Sequence, residues 1–301
     1  MEILGGRKMK LKSFFLLFIL ICSLCCPGCS EQQHSLDNET IVDGDYEYFY
    51  ISQETGIVNP NDGTVYVDTN QPVPPPKQSG YIITRYMGNE SILTLPTTAS
   101  DGTPIIGIGR WAFSQASSLE ELFIPNGYQY IFKYAFLGVD RLKSIHIAST
   151  VEYISGGIIF EQCNQLKIIQ VDSDNPVYES SGNCLLKKST KELIAGCAGS
   201  VIPQGTLSIG SCAFSERKGP SEIHIPNSVI EIQSSAFFLC NTTAVFIEGQ
   251  PQYIGEHAFT GCENTTIYCH SNSQPDSWHA NWLGANSERY DLPLVIWMRH
   301  D

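Results

Sequence analysis

The chain has 301 residues and a net charge of −13, and 42% of it is hydrophobic with 11% aromatic. That apolar content excludes disorder over the whole length, and the length allows one or two ordinary domains. The acidic balance argues against nucleic acid as a partner, because neutralising phosphates requires basic clusters.

Arg7, Lys8, Lys10 and Lys12 precede an apolar run from Phe14 to Leu24. A basic segment followed by so short an apolar stretch reads as a signal peptide, here residues 1–28. Gly28 before Cys29 resembles the small residue that precedes the lipidated cysteine of a bacterial lipobox, while Cys26 and Pro27 depart from the usual residues. Cys29 is therefore the expected lipidation site, tying a soluble body to a membrane through lipid alone; an ordinary cleaved signal is the alternative. The spacings Cys22–Cys25 and Cys26–Cys29 lack the strand-to-helix context of a redox motif. Residues 29–79 are expected to form a tether. Within it Tyr46–Tyr50 and Thr64–Val67 suggest a hairpin turning at Asn61-Asp62-Gly63, as a cap or as part of a stalk. The stretch from Gln71 to Lys77 reads as an extended proline-rich spacer.

Downstream the chain repeats itself. Ala-Phe pairs recur at Phe113, Phe136, Phe214, Phe237 and Phe259, with Ile159-Phe160 as a degenerate copy. The steps between these phenylalanines are 23, 24, 54, 23 and 22 residues. An Ile stands four residues before each Ala-Phe pair, as at Ile108, Ile131 and Ile254, and an I-x-I segment follows, often closed by Pro. Alternation at period two predicts a short half-buried strand with Leu122 and Ile124 facing one way and Glu121 and Phe123 the other. A second, shorter strand is expected at Val151–Ile154 and Val229–Ile232. The Ala-Phe-x-x-Cys piece predicts a helical turn carrying Phe inward, and proline ends the first strand. Such a unit buries its apolar face only by stacking on its neighbours, so roughly eight or nine coils would share one continuous core.

From about Gly80 to Trp297 this pattern resembles the BspA-like leucine-rich repeats of bacterial and protist surface proteins. The resemblance implies a leucine-rich-repeat solenoid over residues 80–297, β-rich with short strands and short helical turns, coiled as a right-handed superhelix of ~23-residue repeats. Cys163, Cys240 and Cys262 each fall three residues after a repeat phenylalanine, where a small thiol stacks well in a narrow coil. Seven cysteines follow Cys29, an odd number that argues against a disulfide framework.

The long step between Phe160 and Phe214 predicts an insertion with strands at Cys184–Lys187 and Glu192–Ala195. Asp172 to Asn175 reads as a solvated turn, because an EF-type calcium loop beginning there would place neutral Asn183 where a Glu is needed. Gly80–Gly88 with Leu93–Pro96 reads as an incomplete first repeat. At the far end Trp278, Trp282 and Trp297 read as an aromatic plug over the last coil, with a carbohydrate-stacking platform as the alternative.

Of the seven histidines His146 and His224 share one repeat position and His257 sits on a variable one, and no H-E-x-x-H, G-x-S-x-G or P-loop is present. The chain is accordingly read as a non-enzyme without catalytic residues, metal or cofactor. One column does suggest recognition. The outward position of I-x-I holds Phe123, His146, Gln170, Val201, His224, Phe246 and Tyr268, aromatic-rich and free of Lys, Glu and Asp. A second aromatic column, Tyr130, Tyr153, Ser208, Glu231 and Tyr253, lies on the shorter strands. The family resemblance implies an exported, adhesin-like lipoprotein at the bacterial cell envelope or outer surface, presenting a solenoid face to a protein or glycan. A structural or assembly component of the envelope is the second reading, and a β-solenoid enzyme acting on polysaccharide the third.

Overall fold

Each I-x-I segment buries its two aliphatic residues and turns the residue between them outward, so it forms a strand only where a neighbouring coil supplies hydrogen bonds. A computed structural model describes residues 40–53, 73–284 and 290–298. The signal segment, Cys29 and the expected Thr64–Val67 strand lie outside the described residues.

Among the described residues the strands form four sheets. Sheet 1 runs in the order Ile41–Asp43, Tyr46–Ile51, Gly80–Tyr86, Ile105–Ile108, Tyr130–Ile131 and Tyr153–Ile154. Its first two junctions are antiparallel and the rest parallel. Tyr46–Ile51 thus pairs with Ile41–Asp43 and Gly80–Tyr86, and this antiparallel ribbon covers the N-terminal edge of the repeats. Sheet 2 stacks Ile92–Thr94, Glu121–Ile124, Ser144–Ile147 and Ile168–Val171 in parallel.

The insertion interrupts both ladders. Tyr178–Ser181, Cys184–Lys187 and Glu192–Ala195 form an antiparallel meander, and the last of these strands accepts Ser208–Ile209 in parallel. Glu231–Ile232 and Tyr253–Ile254 complete this sheet 3. Sheet 4 holds Glu222–Ile225, Ala244–Ile247, Thr266–Cys269 and Leu294–Trp297. Side chains close the gaps at the break. The Ile154 amide donates to the Tyr178 hydroxyl at 2.9 Å and the Val171 amide to the Ser180 hydroxyl at 3.0 Å. Asn175 is fully buried: its amide donates to the carbonyls of Ala148 and Val151, and its oxygen accepts the amides of Val177 and Tyr178. The turn read as solvated is therefore anchored by this one residue.

A third ladder explains the Ala-Phe pair. The amides of four of the six repeat phenylalanines donate to the carbonyl one residue before the aromatic of the next coil, Phe113 to Ala135, Phe136 to Ile159, Phe214 to Ala236 and Phe237 to Ala258, while Phe259 donates to the Trp282 carbonyl. The phenylalanines are fully buried and pack ring to ring in two runs, Tyr86–Phe113–Phe136–Phe160 before the insertion and Phe214–Phe237–Phe259 after it, with Trp282 meeting Phe259 edge-on. Among the described residues only Gly157–Phe160 forms a 3-10 turn; in the other coils the expected helical turn is a tight turn, as where the Cys240 amide meets the Phe237 carbonyl. The residue before Ala is left-handed in five coils, with φ of 57°, 59°, 57°, 58° and 57° at Trp111, Tyr134, Cys212, Ser235 and His257. None is glycine, so each costs about 1 kcal/mol that the packed coil must offset.

All seven cysteines from Cys163 to Cys269 are buried and free. Burial pushes the thiols of Cys163, Cys184, Cys240 and Cys269 up to about 12. In the unfolded chain they ionise near the ordinary thiol value, so above about pH 9 the unfolded state loses protons that the folded state keeps. Stability is therefore expected to be insensitive to these groups below pH 8 and to fall between about pH 9 and 12. Urea melts across that range, with alkylation of these thiols only after unfolding, check this. Rapid alkylation of the native solenoid at pH 8 would contradict it.

Candidate binding face

The register brings most of the outward column together. In sheet 2 Thr94, Phe123, His146 and Gln170 are direct neighbours, and in sheet 4 His224, Phe246, Tyr268 and Ile296 are. Val201 does not join them. Its amide donates to the Gly182 carbonyl at 2.8 Å, and it lies 71% exposed in a segment without strand structure. The inserted hairpin takes up the hydrogen bond that a ladder would have used, so the expected single column is two stacks. Thr94 and Ile296 complete them. Both could have been read from the period-two pattern of Leu93-Thr94-Leu95 and Val295-Ile296-Trp297.

The rings lie face to face. Phe123 and His146 have centroids 4.3 Å apart and planes at 10°. His224 on Phe246 measures 4.6 Å and 14°, and Phe246 on Tyr268 measures 4.7 Å and 7°. These separations match the spacing of paired strands, roughly 4.8 Å. Within each stack a ring covers its neighbour's face and presents its edge to solvent; Phe246 is covered on both faces, and Phe123, His146, His224 and Tyr268 each meet another ring of the stack on one face. Aliphatic residues border the stacks, with Ile92 62% and Leu294 60% exposed. The flank at His224 is polar, its Nδ1 lying 3.0 Å from Glu248 and its Nε2 4.0 Å from Glu222.

The second column divides differently. Tyr130 and Tyr153 are buried in a satellite cluster with Ile51, Ile82, Ile106 and Phe132, against which Phe49 and Val73 pack. Tyr253, by contrast, remains exposed. At the C-terminal end Trp278 and Trp282 are buried, and their indole N–H groups donate to the Pro251 carbonyl at 2.8 Å and to Gln274 at 3.1 Å. They plug the last coil, and Trp297, 6.1 Å from Trp278, packs against them half-buried. Among the described residues no group of three His, Cys, Asp or Glu side chains is placed to hold a metal ion, and no helix is long and apolar enough to cross a membrane.

This repeat geometry has relatives. A leucine-rich repeat protein from Eubacterium ventriosum is 17% identical, covering 63% of this chain and 69% of its own, with a TM-score of 0.40. A leucine rich cell surface protein from Faecalibacterium prausnitzii is also 17% identical over 81% and 85%, with a TM-score of 0.38. The T. pallidum leucine rich repeat protein is 26% identical over 64% and 75%, with a TM-score of 0.39. Shape agreement at that level adds no weight of its own. A search of curated proteins finds no match. The pattern of the BspA type leucine rich repeat region matches in six copies, over residues 93–192 and 197–275. The chain belongs to the BspA type leucine-rich-repeat family.

Proposed function

We propose that this chain is a cell-surface binding module that holds a partner protein on the two aromatic stacks of sheets 2 and 4. The observation that carries the reading is the pair of outward, uncovered stacks, each bordered by exposed aliphatic residues. Apolar centres of this kind on an otherwise acidic surface are typical of recognition patches. The ring orientation favours protein over glycan. Sugars stack on open ring faces, whereas the inner faces of each stack are occupied by neighbouring rings and the exposed edges suit aliphatic and aromatic side chains. The N-terminal sequence supports export and an anchor at Cys29, giving an adhesin-like lipoprotein at the envelope surface. No catalytic role is assigned to the face.

The soluble body, residues 30–301, can be immobilised and challenged with host extracellular-matrix proteins, mucin and bacterial envelope fractions, alongside glycans released from the same mucin. The expected result is retention of a protein and no retention of free glycans. Retention of the free glycans alone would overturn the choice of partner. Protease shaving of whole cells separates display to the outside from a role in envelope assembly.

A further inference from the structure

The proline run before the repeats reads as a free spacer, yet its second half is seated on sheet 1. Val73 packs against the satellite cluster, and the Pro74 carbonyl accepts the Tyr130 hydroxyl at 3.0 Å. Pro76 is buried. The Lys77 amide donates to the Gln129 side chain at 2.9 Å, and the Lys77 ammonium pairs with Glu152. Beneath the run lie three aromatic rings, with Phe132 5.8 Å from Tyr130 and 5.7 Å from Tyr153. Three consecutive prolines bring no backbone N–H groups that need partners, and their fixed φ angles lower the entropy lost on docking. An aromatic-lined groove with a tyrosine hydroxyl aimed at a proline carbonyl is the chemistry by which proteins bind proline-rich peptides.

We propose that the groove formed by Ile82, Ile106, Tyr130, Phe132 and Tyr153 is a binding site for a proline-rich segment, which the chain fills with its own Val73–Pro76. The strap latches the segment preceding the repeats to sheet 1. It covers the second aromatic column there and leaves the stacks of sheets 2 and 4 open. A linked strap holds the site at a high effective concentration, so a peptide added from outside competes poorly until the strap is disabled.

The test uses the 30–301 body, its variant with Pro74→Ser, Pro75→Ser and Pro76→Ser, and a labelled peptide of residues 73–79, followed by fluorescence anisotropy. The variant is expected to bind the peptide and the unmodified body to bind it at least about tenfold more weakly. A peptide with serine in place of its three prolines should not bind. Adding Tyr130→Phe to the variant should weaken binding by about fivefold, the effect of one lost hydrogen bond. Equal binding by both bodies, or no binding by a variant that still melts cooperatively, would overturn the site. Hydrogen exchange in the unmodified body provides a check that does not depend on the variant folding. The Lys77 amide should be protected, and Gln129→Ala should release it. Exchange of Lys77 at the free-peptide rate would contradict docking.

Discussion

Replacing Arg217 with leucine is expected to destabilise the solenoid by about 3–5 kcal/mol, the largest effect of any single change near the insertion. The guanidinium is buried, and it donates to four backbone carbonyls: Gly157 at 2.6 Å, Gly196 at 3.1 Å, Cys212 at 3.1 Å and Ser215 at 3.1 Å. Burial lowers its affinity for the proton, and Cys163 and Glu161 nearby act in the opposite sense. Leucine supplies no donor. Cys212 would keep the Ser215 amide, but the other three carbonyls would lose the guanidinium in a dry interior. Lysine would also fail, because a point ammonium does not reproduce the fork that spans Gly157 on one side of the insertion and Gly196 on the other. Stability in stacked repeats is a sum of unit and interface terms, so weakening this junction should also reduce cooperativity. A urea titration should show a lower midpoint and a shallower slope, tending toward separate transitions for the coils before and after the insertion. An unchanged midpoint and slope would mean that Arg217 is not the link.

The second large effect is expected at the centre of the C-terminal coils. Phe237→Ala should cost about 3–5 kcal/mol, combining lost transfer energy with a cavity that backbone ladders prevent from closing. Phe237 is fully buried between Phe214, 5.1 Å away, and Phe259, 4.8 Å away, both nearly parallel to it. The neighbouring coils cannot collapse onto the gap without breaking the amide bonds from Phe214 to Ala236 and from Phe237 to Ala258. Calorimetry of the single variant measures the total. A double-mutant cycle with Phe214→Ala isolates the stacking, expected to be about 0.5–1.5 kcal/mol beyond area burial. No coupling between the two positions would show that the rings fill space independently.

Much of the architecture was legible because the repeat ties sequence spacing to strand spacing. Ile, Phe and Pro at fixed offsets mark where each coil turns, and the Cys184–Lys187 and Glu192–Ala195 strands follow from their turn residues. Three features were not legible, each for a physical reason. The left-handed residue before Ala carries no glycine signal, since Trp111, Tyr134 and His257 are held there by the ladder rather than by preference. The ladder breaks at Val201 because a hairpin many residues earlier takes its hydrogen bond, a contact that local pattern does not encode. The strap reads as a spacer because its partners, Gln129, Tyr130 and Glu152, lie more than fifty residues away. At the candidate face the sequence sets which residues point outward, but mutual coverage of the rings emerges only from strand register.

That coverage also changes how the face should be probed. Each stacked ring contributes roughly 1 kcal/mol to its own ladder, so serine substitutions there lower stability modestly while leaving the body folded. The most direct test compares a Phe123→Ser, Phe246→Ser double variant with Tyr253→Ser, which removes an exposed ring from sheet 3. Binding of each to the protein retained by the unmodified body should be measured at a temperature where all three are folded. The double variant is expected to lose affinity by about tenfold or more, and Tyr253→Ser to bind as the unmodified body does. Undiminished binding by the double variant, or loss caused by Tyr253→Ser alone, would contradict the assignment of the stacks as the binding face.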